Sequence, residues 1–301
     1  MKLSLVVPCF NEEQSVIPFY KEAVSTFDAL GYDYEIVFVN DGSRDGTLDM
    51  LKKLLDGPAA VKVVSFSRNF GKEAAMLAGL ENAQGDYVSV IDADLQQHPS
   101  VVADMVKILD EEPDVDCVAA YQEKRDESGF MSLCKKSFYK IINRVSDTEF
   151  VDGASDFRTF RRQMVDEIVN MKEYFRFSKG IFSFVGFNTK YIPYTVGERV
   201  GGESKWNFTK LLRYALSGII SFTTSPLRIP LYLGILFIIL SLLLFIVLLI
   251  LHKGLTISAV YFVGGVILCS IGIIGEYLAK AYIQGKNRPV YIVKENLSNR
   301  K

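Results

Sequence analysis

From Ile229 to Leu251 the chain carries no charged residue, and after His252-Lys253 a second uncharged run extends from Gly254 to Gly275. Each run exceeds the roughly 20 residues that a helix needs to cross the hydrocarbon core of a bilayer. The link between them is too short to hold a domain, so the expectation is a transmembrane hairpin over 227–280, with spans at about 229–251 and 254–276. Basic residues gather before the first run (Lys205, Lys210, Arg213, Arg228) and after the second (Lys280, Lys286, Arg288, Lys294). By the positive-inside rule both termini then face the cytoplasm, and the tail 281–301 is cytoplasmic.

The stretch leading into the hairpin, 205–226, puts Phe208, Leu211, Leu212, Ala215, Ile219 and Phe222 on one stripe, with Lys205, Lys210 and Arg213 off it. That pattern suits an amphipathic helix lying in the membrane interface. The segment Met1–Pro8 is broken too early by Asn11-Glu12-Glu13 to read as a secretory signal. Lys and Arg number 34 against 35 Asp and Glu, so no basic excess points to nucleic acid. The four cysteines lack C-x-x-C spacing, which argues against disulfides and zinc. Only His98 and His252 are present, too few for a histidine metal cage and a poor basis for a Ser/His triad.

Residues 1–204 have the texture of an α/β domain. Strands are expected at Leu3–Val7, Tyr34–Val39, Val61–Ser65, Tyr87–Ile91 and Val115–Ala120, alternating with helices. The first helix is expected behind Asn11 as N-cap, the second from Asp45 or Thr47, the third over Lys72–Leu80, and the fourth behind Pro99. Strand–helix alternation predicts a mostly parallel sheet with helices on its faces. Further on, Phe130–Val145 and Arg161–Met171 read as helices and Lys190–Tyr194 as a strand. Asp152–Arg158 reads as a polar, turn-rich break.

The fourth strand ends in Asp92-Ala93-Asp94. Residues one apart on an extended chain face the same way, here toward the carboxyl end of the sheet, where ligands of open α/β folds bind. Two such carboxylates suit a hard divalent cation carrying phosphate oxygens. A capping aspartate plus a turn is the plainer explanation for the pair alone. Three further loops are expected at the same end: Pro8-Cys9-Phe10-Asn11-Glu12, Asn40-Asp41-Gly42-Ser43 and Ser67–Lys72. Acidic side chains in the first two suit a nucleobase and a ribose. Gly71-Lys72 at a helix start suits a phosphate through free N–H groups plus a cation. Neither a P-loop nor a G-x-G-x-x-G motif is present.

Val6–Glu13, Asn40–Thr47, Asn69-Phe70-Gly71-Lys72 and Asp92–Gln96 together resemble the family 2 glycosyltransferases of GT-A (Rossmann-like) fold. The likeness is to their polyprenyl-phosphate branch, which includes dolichol-phosphate mannose synthases and bactoprenol glucosyltransferases. It continues through Ser155-Asp156-Phe157-Arg158 and Gly202–Trp206 into the hairpin. The resemblance implies inverting transfer of a sugar from a nucleotide-sugar donor to a membrane polyprenyl phosphate such as undecaprenyl phosphate, for cell-envelope glycosylation. It implies that Pro8, Phe10, Glu12 and Asp41 hold the nucleoside, with Lys72 and Asp92 also on the donor. Asp92, Asp94 and Gln96 would hold Mg²⁺ or Mn²⁺. Arg199, Ser204 and Lys205 would close over the phosphates, and Arg125, Lys135 and Arg158 would receive the acceptor phosphate. Asp94 and Asp156 would orient the acceptor.

A phosphate monoester has a second pKa of about 6 and is already nucleophilic at neutral pH, so the demand for a general base is small. UDP-glucose is the first expectation for the donor, followed by UDP-GlcNAc and GDP-mannose. A processive synthase is disfavoured because Trp206, the one tryptophan, lies outside a Q-x-x-R-W motif. A catalytically silent membrane scaffold is the alternative of another class. Gly264, Gly265, Gly272 and Gly275 permit close helix packing, within the hairpin or in a homo-oligomer.

Overall fold

The computed structural model describes residues 2–122, 154–197 and 256–300, together with Tyr232 and Leu236. Its centre is an eight-stranded sheet of order β7-β5-β6-β4-β1-β2-β3-β8. Strands β1 (Lys2–Cys9), β2 (Asp33–Asn40), β3 (Ala60–Phe66) and β4 (Tyr87–Val90) run parallel. Helices α1 (Val16–Leu30), α2 (Thr47–Leu54) and α3 (Lys72–Asn82) connect them. After β4 come α4 (Pro99–Glu111), β5 (Cys117–Gln122), β6 (Ala154–Arg161), α5 (Arg162–Asn170), α6 (Ser178–Phe184) and β7 (Thr189–Tyr194). The chain closes with α7 (Thr256–Gly285) and β8 (Val293–Ser298).

Side-chain alternation along β1 shows why both faces are covered. Leu3, Leu5, Val7 and Cys9 join one core with Phe19 and Phe27 of α1, Leu51 of α2 and Met105 of α4. Val6 points the other way, into a core with Met76 and Leu80 of α3, Met164 and Ile168 of α5, and Ile181 and Phe182 of α6. A strand buried on both faces needs apolar residues at successive positions, which β1, β2 and β4 supply.

Three findings differ from the expectation. Helix α1 starts at Val16 behind Ser15, while Asn11 adopts a left-handed φ of 55°, a conformation that asparagine tolerates well. Asp152–Arg158, expected as a break, contributes most of β6, which runs antiparallel between β4 and β5. Its polar residues disguised it, because Arg158 and Thr159 are buried by partners rather than by hydrophobicity. The tail residues Val293–Ser298, read from the sequence only as part of a cytoplasmic tail with no strand assigned, form the β8 edge of the sheet, antiparallel to β3. The sheet is thus mostly parallel with antiparallel additions at β6 and β8.

The predicted first span, Ile229–Leu251, lies outside the described residues apart from Tyr232 and Leu236. The predicted second span falls on α7, a 30-residue helix, about 45 Å long at 1.5 Å per residue. Taken over the described residues alone, no helix is long and apolar enough to cross a membrane. Along α7, Val260, Val263, Ile267, Ile271, Ile274, Leu278 and Tyr282 are exposed in a stripe spaced by three and four residues.

Candidate active site

At the carboxyl end of the parallel strands the loops are knitted to one another. The Asn11 N–H donates to Ser43 Oγ (3.0 Å), and the Arg44 N–H returns a bond to Asn11 Oδ1 (2.9 Å). The Glu12 N–H donates to Thr47 Oγ1 (2.8 Å), and Glu12 Oε2 accepts from Ser15 Oγ (2.8 Å). The loops after β1 and β2 therefore act as one piece, carrying Pro8, Phe10, Glu12 and Asp41. Gly42 is required there: its φ is 61°, and a Cβ would lie 2.3 Å from the Arg68 carbonyl carbon.

Asp41 reaches across to the β3–α3 loop. Its carboxylate accepts from the N–H groups of Phe70 (2.6 Å) and Gly71 (2.9 Å) and from Asn69 Nδ2 (2.9 Å). Burial pushes the Asp41 carboxyl up, against the opposing pull of those N–H groups and Arg68. The expectation that free N–H groups at Gly71 cradle a phosphate does not hold for Gly71 itself, whose N–H is given to Asp41. The cation of that segment is the side chain of Lys72.

Lys72 Nζ stands 2.7 Å from Asp92 Oδ1 and 3.7 Å from Asp156 Oδ2. The sheet register explains the meeting. Val90 of β4 pairs antiparallel with Arg158 of β6, so Asp92, two residues on, and Asp156, two residues back, come off the same end. Burial works against the Lys72 charge, but Asp92 and then Asp156 outweigh it and raise its pKa. Burial likewise opposes the Asp156 charge, and Lys72, Lys179 and Arg158 together hold its carboxyl below the usual range. Among the described residues, Asp156 Oδ1 is buried without a hydrogen-bond partner.

The Asp92–Gln96 loop is shaped by a residue that sequence reasoning missed. Buried Gln97 accepts from the Asp92 N–H through Oε1 (2.9 Å) and donates from Nε2 to Asp92 Oδ2 (3.1 Å). The strand itself ends at Val90, so the pair stands on the loop that follows it, where Ala93 is buried and Asp92 and Asp94 are partly exposed. Leu95 has a φ of 60°, a conformation costing a non-glycine residue about 1–2 kcal/mol. It directs the Gln96 N–H onto Asp94 Oδ1 (3.1 Å). The Gln96 carbonyl accepts from the Gly197 N–H (3.0 Å), so the strand that leads to Arg199 begins its loop against the aspartate pair. In the sequence Gln97 is only a second glutamine beside Gln96, with no local signal of its contact to Asp92.

Arg158 lies on β6 as part of this group, but buried. Its Nε donates to Ser155 O (3.1 Å), and its guanidinium sits 4.9 Å from the Phe182 ring centre. Arg125, Lys135, Arg199, Ser204 and Lys205 lie outside the described residues. Lys179, absent from the sequence-derived set, belongs to the same electrostatic group as Asp156.

Among the described residues no three His, Cys, Asp or Glu side chains stand close enough to cage a metal ion. The donors that are present, the partly exposed carboxylates of Asp92 and Asp94, are hard oxygens. Such a set fits Mg²⁺ or Mn²⁺ that arrives with substrate phosphates, since these ions take one or two carboxylates rather than a complete protein cage. It does not fit a softer metal that would need nitrogen or sulfur donors.

Residues 4–169 match the glycosyl transferase family 2 model, and residues 225–281 match the GtrB C-terminal hairpin model. The chain is 40% identical to the SfII prophage-derived bactoprenol glucosyl transferase of Shigella flexneri, over 98% of each chain. It is 38% identical to the prophage bactoprenol glucosyl transferase homolog of Escherichia coli K12, over 98% of this chain and 99% of that one. Among solved structures it is similar to mannosyl-3-phosphoglycerate synthase from Rubrobacter xylanophilus, with a TM-score of 0.52, 17% identity and coverage of 73% and 72%. Glucosyl-3-phosphoglycerate synthase from Mycobacterium tuberculosis, solved with Mn²⁺, uridine diphosphate and phosphoglyceric acid, also has a TM-score of 0.52, at 18% identity and coverage of 73% and 76%. The last two share the α/β fold, and the two bactoprenol glucosyl transferase relatives align with nearly the whole chain. With the knitted loops and the Asp92–Lys72–Asp156 group in place, the chain belongs to glycosyl transferase family 2, in the form that carries a GtrB-type C-terminal hairpin.

Proposed function

We propose that the protein transfers a hexose, glucose before any other, from a nucleotide-sugar donor to a membrane polyprenyl phosphate. The observation that carries this reading is the convergence of Asp92 and Asp156 on the Lys72 ammonium at the carboxyl end of the sheet. It supplies an oxygen-rich place for a donor diphosphate next to a cation for a second phosphate. The glucose preference rests on the bactoprenol glucosyl transferases that the chain resembles over its whole length.

The nucleoside would lie over the joined β1 and β2 loops, against Pro8, Phe10, Glu12 and Asp41. Asp92 and Asp94 would hold a divalent ion on the donor diphosphate, with Gln96 beside them. When bound, that ion neutralises the charge that grows on the departing nucleoside diphosphate. An oxygen of the acceptor phosphate attacks the anomeric carbon as the bond to the nucleoside diphosphate breaks, which inverts the configuration. The acceptor dianion needs no proton removed, so the task of Lys72 and its cationic neighbours is to offset repulsion between two phosphate-bearing substrates. Asp156 orients these cations.

Membrane attachment is part of the same proposal. The uncharged runs, the hairpin match and the exposed apolar stripe of α7 support two spans in the cytoplasmic membrane, with the sheet on the cytoplasmic side. That arrangement presents the site at the level of a lipid head group.

The test is release of nucleoside diphosphate by the full chain in detergent or nanodiscs, with UDP-glucose, UDP-GlcNAc or GDP-mannose. Each is assayed with and without polyprenyl phosphate and Mn²⁺. Release that depends on the lipid and is fastest with UDP-glucose is the expected result. A different best donor overturns the sugar assignment alone, and no turnover with any donor favours the scaffold alternative.

A further inference from the structure

The chain that leaves α7 folds back over the root of the β3–α3 loop. Asn287, with a left-handed φ of 47°, and Pro289 turn it. Val290 and Tyr291 then pack on a small core walled by Val37 and Val39 of β2, Val64 and Phe66 of β3, and Ala74 and Ala78 of α3. Tyr291 lies flat on Phe66, with ring centres 4.7 Å apart and planes 19° apart, and its hydroxyl donates to Glu81 of α3. The carbonyl of Ile292 accepts from the Ser67 N–H (3.0 Å). Phe66 ends β3 and Ser67 begins the loop, so the strap Val290–Val293 holds both sides of that junction. The β3–β8 ladder shifts register there, between Ser65 and Phe66, the kind of break that re-aims a chain at the rim of a sheet.

From this junction contacts run without a gap to the donor side of the site. Phe66 meets Phe70 edge to face at 5.7 Å, and the Arg68 guanidinium lies 4.0 Å from the Phe70 ring centre. The N–H groups of Phe70 and Gly71 and the Asn69 amide are the donors that grip the Asp41 carboxylate. Beside Asp41, Gly42 meets the Arg68 main chain so closely that a Cβ would stand 2.3 Å from its carbonyl carbon. Ser43 then passes the contact on to the Asn11 N–H (3.0 Å). Packed rings and apposed backbones yield little, so a displaced Phe66 displaces the loops assigned to the nucleoside. A contiguous physical network of this kind is what coupling between separated residues requires.

We infer that Tyr291 is a positioning residue for donor binding. By stacking on Phe66 and bridging to Glu81 it holds the β3–α3 loop in the form that grips Asp41, so affinity for the nucleoside diphosphate is set in part by the strap leaving α7. This rests on the proposed nucleotide-sugar transfer and adds to its donor side a residue that acts through others. The two ends of β8 separate this role from plain support of the sheet. Asn299, which accepts from the Val61 N–H and donates to the Ala59 carbonyl (each 2.9 Å), fastens the end of β3 remote from the loop. Tyr291 and Ile292 fasten the end that becomes the loop.

The test is calorimetric titration of the full chain in detergent with UDP and with GDP, each with Mn²⁺, alongside unfolding midpoints and the KM values of donor and acceptor. Tyr291→Leu should raise the Kd of the nucleoside diphosphate that wild type binds, and the KM of the matching donor, about five- to tenfold, the most that one lost aromatic stack can transmit. The KM for polyprenyl phosphate should stay at its wild-type value. Tyr291→Phe keeps the stack and loses only the Glu81 bond, so it should recover most of the affinity. Phe66→Leu breaks the stack from the other side and should weaken nucleotide binding alike. Asn299→Ala should lower the unfolding midpoint and leave Kd unchanged. An unchanged Kd in whichever of Tyr291→Leu and Phe66→Leu folds overturns the inference. So does an Asn299→Ala variant that loses as much nucleotide affinity as Tyr291→Leu, and so does failure of both stack variants to fold, which would make the stack a folding element. If wild type binds neither UDP nor GDP, it is the proposed function that fails.

Discussion

Lys72 Nζ lies 2.7 Å from Asp92 Oδ1, so the first turn of α3 supplies the counter-ion for the loop that ends β4. The same ammonium reaches Asp156 at 3.7 Å, from a strand running the other way. Lys72→Met would leave two facing carboxylates with their shared cation removed. The lysine side chain is 42% exposed, so solvent screening limits the stability loss to about 1 kcal/mol. The activity loss should be far larger, about 100-fold or more, as expected when a charge-stabilising donor is lost from an active site. Thermal unfolding and initial rates, measured together, separate the two effects.

Asp156 gives the protein an acid-side dependence. Its carboxyl is held below the usual range by Lys72, Lys179 and Arg158 despite burial. A folded pKa below the unfolded value of about 3.9 means that the ionised form stabilises the fold. That contribution is complete above the unfolded pKa and is lost as pH falls through the folded one. Asp156→Asn should therefore show its largest stability deficit near neutral pH, and the gap in unfolding midpoint should shrink below about pH 4. A gap independent of pH would sink the charge argument.

Asp94 is partly exposed, so Asp94→Ala should leave the unfolding midpoint within about 0.5 kcal/mol of wild type. It should nevertheless abolish transfer. Chelation with EDTA should stop wild-type turnover, and Mn²⁺ or Mg²⁺ should restore it. Mn²⁺ binding followed by electron paramagnetic resonance in the presence of nucleoside diphosphate should be weakened by Asp94→Ala. Undiminished Mn²⁺ affinity would remove Asp94 from the ion.

Gln97 holds Asp92 by two hydrogen bonds, one to its N–H and one to its carboxylate. Gln97→Leu keeps the volume but leaves that N–H without its partner, at about 1–3 kcal/mol. Turnover should fall about tenfold or more through misplacement of Asp92. Gln97→Glu should recover little, because the carboxylate cannot donate to Asp92. Rates and midpoints for the pair distinguish lost geometry from lost folding.

Much of this arrangement was readable from residue order. Apolar runs ending in Asp41, Asp92 and the Ser67–Lys72 loop marked the parallel strands, because strands buried on both faces must be continuously apolar. Helix α4 was visible from Pro99, which occupies its first turn as expected. Strand β6 was hidden because its polar side chains are satisfied by partners far along the chain: buried Thr159 by Ser89, and partly buried Arg161 by the carbonyls of Val115 and Leu109. The Lys72–Asp156 meeting was hidden for the same reason, since it depends on the antiparallel register of a strand that looked like a turn. Gln97 carried no local signal: its meaning comes from the two hydrogen bonds to Asp92 that only the folded loop forms.

Strand β8 changes where the sheet-bearing domain can be cut. It pairs antiparallel with β3 from Val293 to Ser298, and Asn299 continues the pairing by accepting from the Val61 N–H and donating to the Ala59 carbonyl, each at 2.9 Å. Tyr291 stacks on Phe66 at 4.7 Å and hydrogen-bonds Glu81, and Glu295 pairs with Lys52 at 2.7 Å. Ending the chain after Arg228 to remove the hairpin would therefore also strip the β3 edge, and an uncovered parallel-sheet edge invites association. A chain shortened only by residues 293–301 should unfold earlier and aggregate, while retaining the hairpin. Tyr291→Ala should destabilise by about 1–2 kcal/mol, since the ring is only partly buried against Phe66. A double-mutant cycle with Phe66→Leu should show a coupling of about 0.5–1.5 kcal/mol. Zero coupling, with a shortened chain as stable and monodisperse as the full one, would mean that β8 contributes nothing to the sheet in solution.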